Sequence, residues 1–163
     1  MKSVQSIPNK IFTAATLPLQ LKRWRLLNKK IVFTNGVFDI LHEGHIASLS
    51  EAAAHGNILI VAVNADASVK RLKGETRPVN NENSRALLLA SLLMTDAVII
   101  FEEDTPYNLI TSILPDVLVK GGDYTIETIV GAREIMDNGG EVIIAPVLEG
   151  FSTTGIIERM KEL

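Results

Sequence analysis

Two histidines stand three residues apart around a glycine in His42-Glu43-Gly44-His45. In the first turn of a helix, residues at that spacing share one face. Gly44 would let a bulky ligand approach the backbone. Free amides and the positive end of a helix dipole would add to the two imidazole donors, which suits the binding of a phosphate anion. Two other readings compete. A pair at i and i+3 could chelate a metal, but the chain has no cysteine and only one further histidine, His55. A carboxylate would then have to complete the site. The pair could also be ordinary helix-start residues, which the flanking Gly36 and Gly44 argue against. Context favours phosphate.

The preceding stretch, Thr34-Asn35-Gly36-Val37-Phe38-Asp39, contains neither a GxGxxG fingerprint nor a P-loop. Further on, Val119-Lys120-Gly121-Gly122-Asp123-Tyr124 follows an apolar run. It reads equally as a turn that brings amides and Asp123 to a ligand or as a plain connection capped by Asp123. Near the end, Glu149-Gly150-Phe151-Ser152-Thr153-Thr154-Gly155 opens a helical pattern. One hydroxyl there would be a simple N-cap. Three in a row behind a glycine match a second phosphate cradle. Lys70, Arg71, Lys73, Arg77 and Arg85 form a local basic cluster, and a solvated loop accounts for at least two of the five.

These segments need a scaffold, and the hydrophobic pattern supplies one. Short Val- and Ile-rich runs occur at Ile31-Val32-Phe33, Ile58 to Val63, Ala97 to Phe101, Val117-Leu118-Val119 and Val142-Ile143-Ile144. Near-continuous apolar runs suit strands covered on both faces. Helical spacing appears at His45 to Ala54, Ser84 to Met94, Pro106 to Leu114, Ile126 to Met136 and Thr153 to Lys161. The alternation predicts an α/β fold with a five-stranded parallel sheet and helices on both faces. Residues 30–163 would form that domain. Residues 1–29, with an amphipathic stretch from Leu17 to Leu27, would be a helical extension. Lys70 to Asn83 reads as a loop. Ligands in such sheets bind beyond the carboxyl ends of the strands, where the segments above lie.

At 163 residues the chain suits one compact domain. Its 16 basic and 19 acidic residues, a net charge of −3, argue against a nucleic-acid or membrane-surface binder. No apolar run approaches the ~20 residues of a membrane span, and the first thirty residues do not read as a signal peptide. A cytoplasmic location is expected, as is a homo-oligomer, a dimer.

Taken together, the chain resembles the HxGH nucleotidyltransferases, which have a Rossmann-like fold. The likeness rests on Phe38-Asp39-Ile40-Leu41-His42-Glu43-Gly44-His45, on Arg85 at a helix entry, and on Gly150-Phe151-Ser152-Thr153-Thr154. It runs from about Lys30 to the end. Within the family it looks most like the branch that adenylylates D-glycero-β-D-manno-heptose 1-phosphate. The stretches that say so are Leu72-Lys73-Gly74 with Arg77-Pro78-Val79-Asn80, Phe101 to Pro106, and Pro115 to Tyr124. That branch is often fused behind a sugar kinase; this chain begins at its own Met1, so the resemblance implies a stand-alone enzyme. Val147 stands where glycerol-phosphate cytidylyltransferases carry an arginine, and Glu43 where closer relatives often have a small residue or proline.

The resemblance implies transfer of AMP from ATP to the sugar 1-phosphate, with release of pyrophosphate. Mg²⁺ would be held mainly by the ATP phosphates, with no metal site in the protein. The alternatives are a cytidylyltransferase for an alcohol phosphate such as glycerol 3-phosphate and a non-catalytic nucleotide-binding module. The expected catalytic residues are His42, His45, Lys73 and Arg85. Besides the two histidines, Thr34, Asn35, Gly36, Phe38, Asp39, Gly44, Gly121, Asp123, Gly150, Ser152, Thr153 and Thr154 would serve the nucleotide. Asp39 would do so by ordering its loop. Lys120, Asp123 and Tyr124 would meet the sugar.

Overall fold

A computed structural model describes residues 4–146, 148 and 150–162. Val147, Glu149 and Met1, which figure in the sequence reading, lie outside the described residues. The five expected strands are present: β2 (Ile31–Gly36), β3 (Ile58–Asn64), β4 (Ala97–Phe101), β5 (Val117–Gly121) and β6 (Glu141–Ala145). A sixth strand precedes them. β1 (Ile11–Phe12) pairs with β4 at the sheet edge, which corrects the expected five. Two residues are too few to show a period, so β1 exists only through its partner.

The sheet is parallel throughout, in the order β1-β4-β3-β2-β5-β6. The chain winds outward from β2 through β3 to β4, then returns to place β5 on the other side of β2. The strand order therefore reverses between β2 and β5, and the ends of those two strands open a crevice.

Side chains alternate across the sheet and build two cores. Ile31 and Phe33 face α1 (Leu17–Leu26), α5 (Tyr107–Ile113) and α6 (Ala132–Asp137), meeting Leu17, Leu21, Ile110, Ile113 and Ile135. Val32 faces the opposite way, towards Leu49 and Ala52 of α2 (Glu43–Ala54) and Leu89 of α4 (Glu82–Ser91). Burying a Leu or Ile contributes about 1.5–3 kcal/mol, so the residues before Lys30 add to the stability of the sheet.

Two helix expectations need revision. Ile126 to Met136 is a 3₁₀ turn, Ile126–Thr128, followed by α6. Gly131 separates them at φ 82°, where a Cβ would come within 2.7 Å of Ile110. The loop expected from Lys70 to Asn83 begins and ends in helix: α3 (Asp66–Lys73) runs through Lys73, and α4 opens at Glu82. α7 (Thr153–Lys161) closes the described chain.

Candidate active site

β2 ends at Gly36, and the chain crosses the sheet edge before entering α2 at Glu43. His42 is the N-cap residue, in extended backbone at φ −145° and ψ 171°. Its ring stacks on that of His45, with centroids 3.8 Å apart and planes inclined by 23°. Phe38 meets His45 edge-on at 5.2 Å. Phe38 itself sits at φ 49°, a costly conformation for a bulky residue that is held here by its surroundings. The Nδ1 atoms of both histidines are buried without a hydrogen-bond partner. Burial disfavours the charged ring, so His42 titrates below its ordinary value. For His45 burial acts first and the neighbouring His42 second. The Ile40 carbonyl offsets part of this, and the pKa falls to about 4. Neutral imidazoles at the start of a helix can donate N–H bonds to an anion.

Gly44 has a steric role. A Cβ there would stand 3.1 Å from the His42 ring and 3.2 Å from Cβ of Phe151, tighter than ordinary contact, so the glycine lets the His42 ring and the Phe151 segment approach. Ser152 caps α7, its Oγ accepting from the Gly155 amide at 3.0 Å. Thr153 lies against the other loop, its hydroxyl 3.5 Å from the Ile40 carbonyl. Two helix N-termini thus converge on one place, and both favour negative charge there.

Around this point lies a cleft of about 580 Å³. Asn35, Gly36, Phe38, Asp39, His42, Gly44, His45, Lys73, Lys120, Gly121, Tyr124, Ser152, Thr153 and Thr154 all line it. Lys120 reaches across β2, donating to the Asn35 side chain at 3.1 Å and lying 5.5 Å from the Tyr124 ring centre. Its burial lowers its pKa. Asp39 forms the floor and is almost fully buried. Its carboxylate accepts from Arg77 Nε at 2.7 Å and from the Val79 and Asn80 amides at 2.8 and 2.9 Å. Burial raises the Asp39 pKa, yet these donors outweigh it and the pKa ends below the usual carboxylate range.

Four expected residues are placed differently. Arg85 is fully buried and does not line the cleft. Its guanidinium donates to the Asn80 carbonyl at 2.9 Å, the Val37 carbonyl at 2.7 Å and the Asp66 carboxylate at 2.7 Å. It therefore ties the cleft's loops together from behind, rather than lining the cleft as expected. Asp123 is exposed, and neither it nor Gly150 lines the cleft. Thr34 is buried in β2 and borders a smaller pocket of about 220 Å³ next to Gly36 and Lys120.

Arg77, named only as one of a basic cluster, also lines the cleft, as do Asn64, Leu72, Asp104, Thr105 and Pro106, which no site reading had chosen. Asn64 ends β3, and Asp104 to Pro106 follow β4. Their position beyond the carboxyl ends of strands was the available signal. Arg71 Nε donates to Asp104 at 2.7 Å. Both acids lining the cleft are therefore engaged by arginines. Among the described residues no group of three or more His, Asp or Glu could hold a metal ion. No helix among the described residues is long and apolar enough to cross a membrane.

The sequence model described as cytidylyltransferase-like matches residues 33–159. The chain is 51% identical to the bifunctional protein HldE of Hyphomonas neptunium, over 98% of this chain and 34% of that protein. It is 55% identical to the protein of the same name from Rhodopseudomonas palustris, over 91% of this chain and 30% of the relative. The chain thus spans about a third of the length of these curated relatives. Among solved structures it is similar to the lipopolysaccharide core biosynthesis protein of Thermoplasma volcanium, with a TM-score of 0.59 and 32% identity. That match covers 74% of this chain and 97% of the other.

Proposed function

The chain belongs to the cytidylyltransferase-like family, and on that premise we propose that it transfers AMP from ATP to D-glycero-β-D-manno-heptose 1-phosphate. The products are ADP-heptose and pyrophosphate. The observation that carries this reading is the stacked, uncharged His42–His45 pair at the start of α2. It sits in a cleft whose two acids are already paired.

A phosphate oxygen of the sugar phosphate attacks the α-phosphorus of ATP, and the bond from that phosphorus to the bridging oxygen breaks. A phosphate monoester has a second pKa near ~6, so it is mostly a dianion at neutral pH and needs no general base. The protein has to position two anions and stabilise charge on the α-phosphate and the leaving group. His42 and His45 donate to the α-phosphate. The amides at the starts of α2 and α7, with Thr153 and Thr154, cradle further phosphate oxygens. Ser152 contributes by holding that turn of α7. Lys73, at the end of α3, neutralises charge from the opposite wall. Mg²⁺ would come with ATP, held by phosphate oxygens and water. Arg85 acts from behind, fixing the Val37 and Asn80 carbonyls that frame the site.

The sugar assignment draws on the resemblance of Leu72 to Asn80 and of Pro115 to Tyr124 to the heptose branch. Lys120 and Tyr124 line the cleft and offer donors to sugar hydroxyls. The solved relative named for lipopolysaccharide core biosynthesis is in keeping with an activated sugar as product. ATP as substrate puts the reaction in the cytoplasm. A matrix of nucleotides against sugar 1-phosphates, read by pyrophosphate release, tests the proposal. kcat/KM for ATP with the heptose phosphate should exceed that for CTP with glycerol 3-phosphate by at least ~10²-fold, the scale on which polar pockets discriminate. Equal or reversed ratios would assign the chain to the cytidylyltransferase branch.

A further inference from the structure

We propose that Arg77 is a phosphate-binding residue of the cleft, with its guanidinium clamped by Asp39 so that the terminal fork faces a phosphate oxyanion. The inference rests on the nucleotidyl-transfer reading above and adds a residue to it. Three arginines surround the loop between α3 and α4, and they differ in what they hold. Arg85 is fully buried, with bonds from Nε and both terminal nitrogens. Arg71 binds Asp104 and the Glu102 carbonyl and does not line the cleft. Arg77 lines the cleft and makes one bond, from Nε to Asp39 Oδ2 at 2.7 Å. Its terminal nitrogens have no partner among the described residues.

The clamp sets the direction of that fork. Asp39 Oδ1 is occupied by the Val79 and Asn80 amides, and the Asp39 carbonyl accepts from the Asn80 side chain at 2.7 Å. The segment from Arg77 to Asn80 is thereby fastened to the loop that leads into the histidine pair. The Arg77 side chain is only 15% exposed and Asp39 1%, so little of the arginine's conformational freedom remains to be lost when a ligand binds. A planar fork of N–H donors matches two oxygens of a phosphate. Two sources of that chemistry enter the cleft, the triphosphate and the acceptor's phosphate.

The test uses Arg77→Gln, which can still donate to Asp39 and hold the loop but loses the charged fork. Inorganic tripolyphosphate and inorganic phosphate are titrated calorimetrically into the parent and the variant. Charged hydrogen bonds of this kind predict about 10- to 100-fold weaker binding of at least one probe, with melting unchanged. Loss confined to tripolyphosphate places the fork at the nucleotide; loss confined to phosphate places it at the acceptor. Binding of both probes within twofold of the parent overturns the proposal. If Arg77→Gln melts well below the parent, Arg77→Lys, which keeps a cation beside Asp39, is titrated against the same twofold limit. A parent that binds tripolyphosphate but releases no pyrophosphate with any nucleotide–sugar pair would end the transfer reading and leave the Arg77 site standing.

Discussion

The two sides of the loop that follows β2 treat their polar groups in opposite ways. Behind it, Arg85, Asp66, Glu82 and Asn80 form a closed network. Arg85 donates to three acceptors, and the Glu82 carboxylate takes the Asp66 amide at 2.7 Å. In front, His42 and His45 are packed together with their Nδ1 atoms unused. Arg85 is fully buried and the two histidines are partly so. A satisfied network stabilises one shape, whereas an unsatisfied pair costs stability until a ligand arrives. Polar residues near a cleft therefore divide by whether their bonds are already filled.

Arg85→Ala puts that division to its strongest test. It leaves the partly exposed Asp66 carboxylate and two carbonyls without their donor, and each buried acceptor left unsatisfied costs about 1–3 kcal/mol. Urea unfolding should show that loss directly. A variant as stable as the parent but inactive would instead return Arg85 to the ligand.

His45→Ala should behave in the opposite manner. Losing one donor aimed at transition-state charge costs ~10²–10³ in turnover. Stability should fall far less than in Arg85→Ala, because the ring's losses are mainly its packing on His42 and Phe38. Turnover within threefold of the parent, or unfolding as severe as that of Arg85→Ala, would erase the contrast.

Acid should weaken the front before the back. His45 has a pKa of about 4 in the folded protein against 6.5 unfolded, so the unfolded chain binds the extra proton between those values. Stability is then intact above 6.5 and falls as pH drops from 6.5 towards 4. Thermal melts of the free protein at pH 7 and pH 5 measure this. His45→Ala should flatten the slope, and an unchanged slope in that variant would count against the histidine as its source.

Ser152→Ala is the smallest expected change, since it touches both functions lightly. Loss of the cap to Gly155 costs about 1 kcal/mol. Retained kcat/KM at low temperature would mark Ser152 as a positioning residue only, and a rise in KM for ATP would make it a phosphate ligand as well.

Much of this molecule was legible before any coordinates. The five longer strands announce themselves because a strand buried on both faces has to be apolar throughout, and Ile58 to Val63 leaves little choice. α7 begins at Thr153, where a run of hydroxyls behind a glycine signals a helix start. The histidine pair could be placed at a strand-to-helix junction because it follows the apolar run from Ile31 and opens the helical pattern from His45. Each of these features is written within a short stretch of chain.

What tertiary structure decided involves partners far apart in sequence. β1 is a strand only because β4, 87 residues later, offers it an edge. α3 was hidden because Lys70 to Asn83 looks uniformly polar, while the residues that anchor it, Ser68 and Val69, lie just before that stretch. Lys73 and Arg77 ended up on the cleft and Arg85 behind it, although all three are basic residues of one segment. Composition assigns them the same charge. Which donors remain free depends on acceptors brought in from Val37, Asp39 and Asp66, and that proximity exists only once the chain has folded.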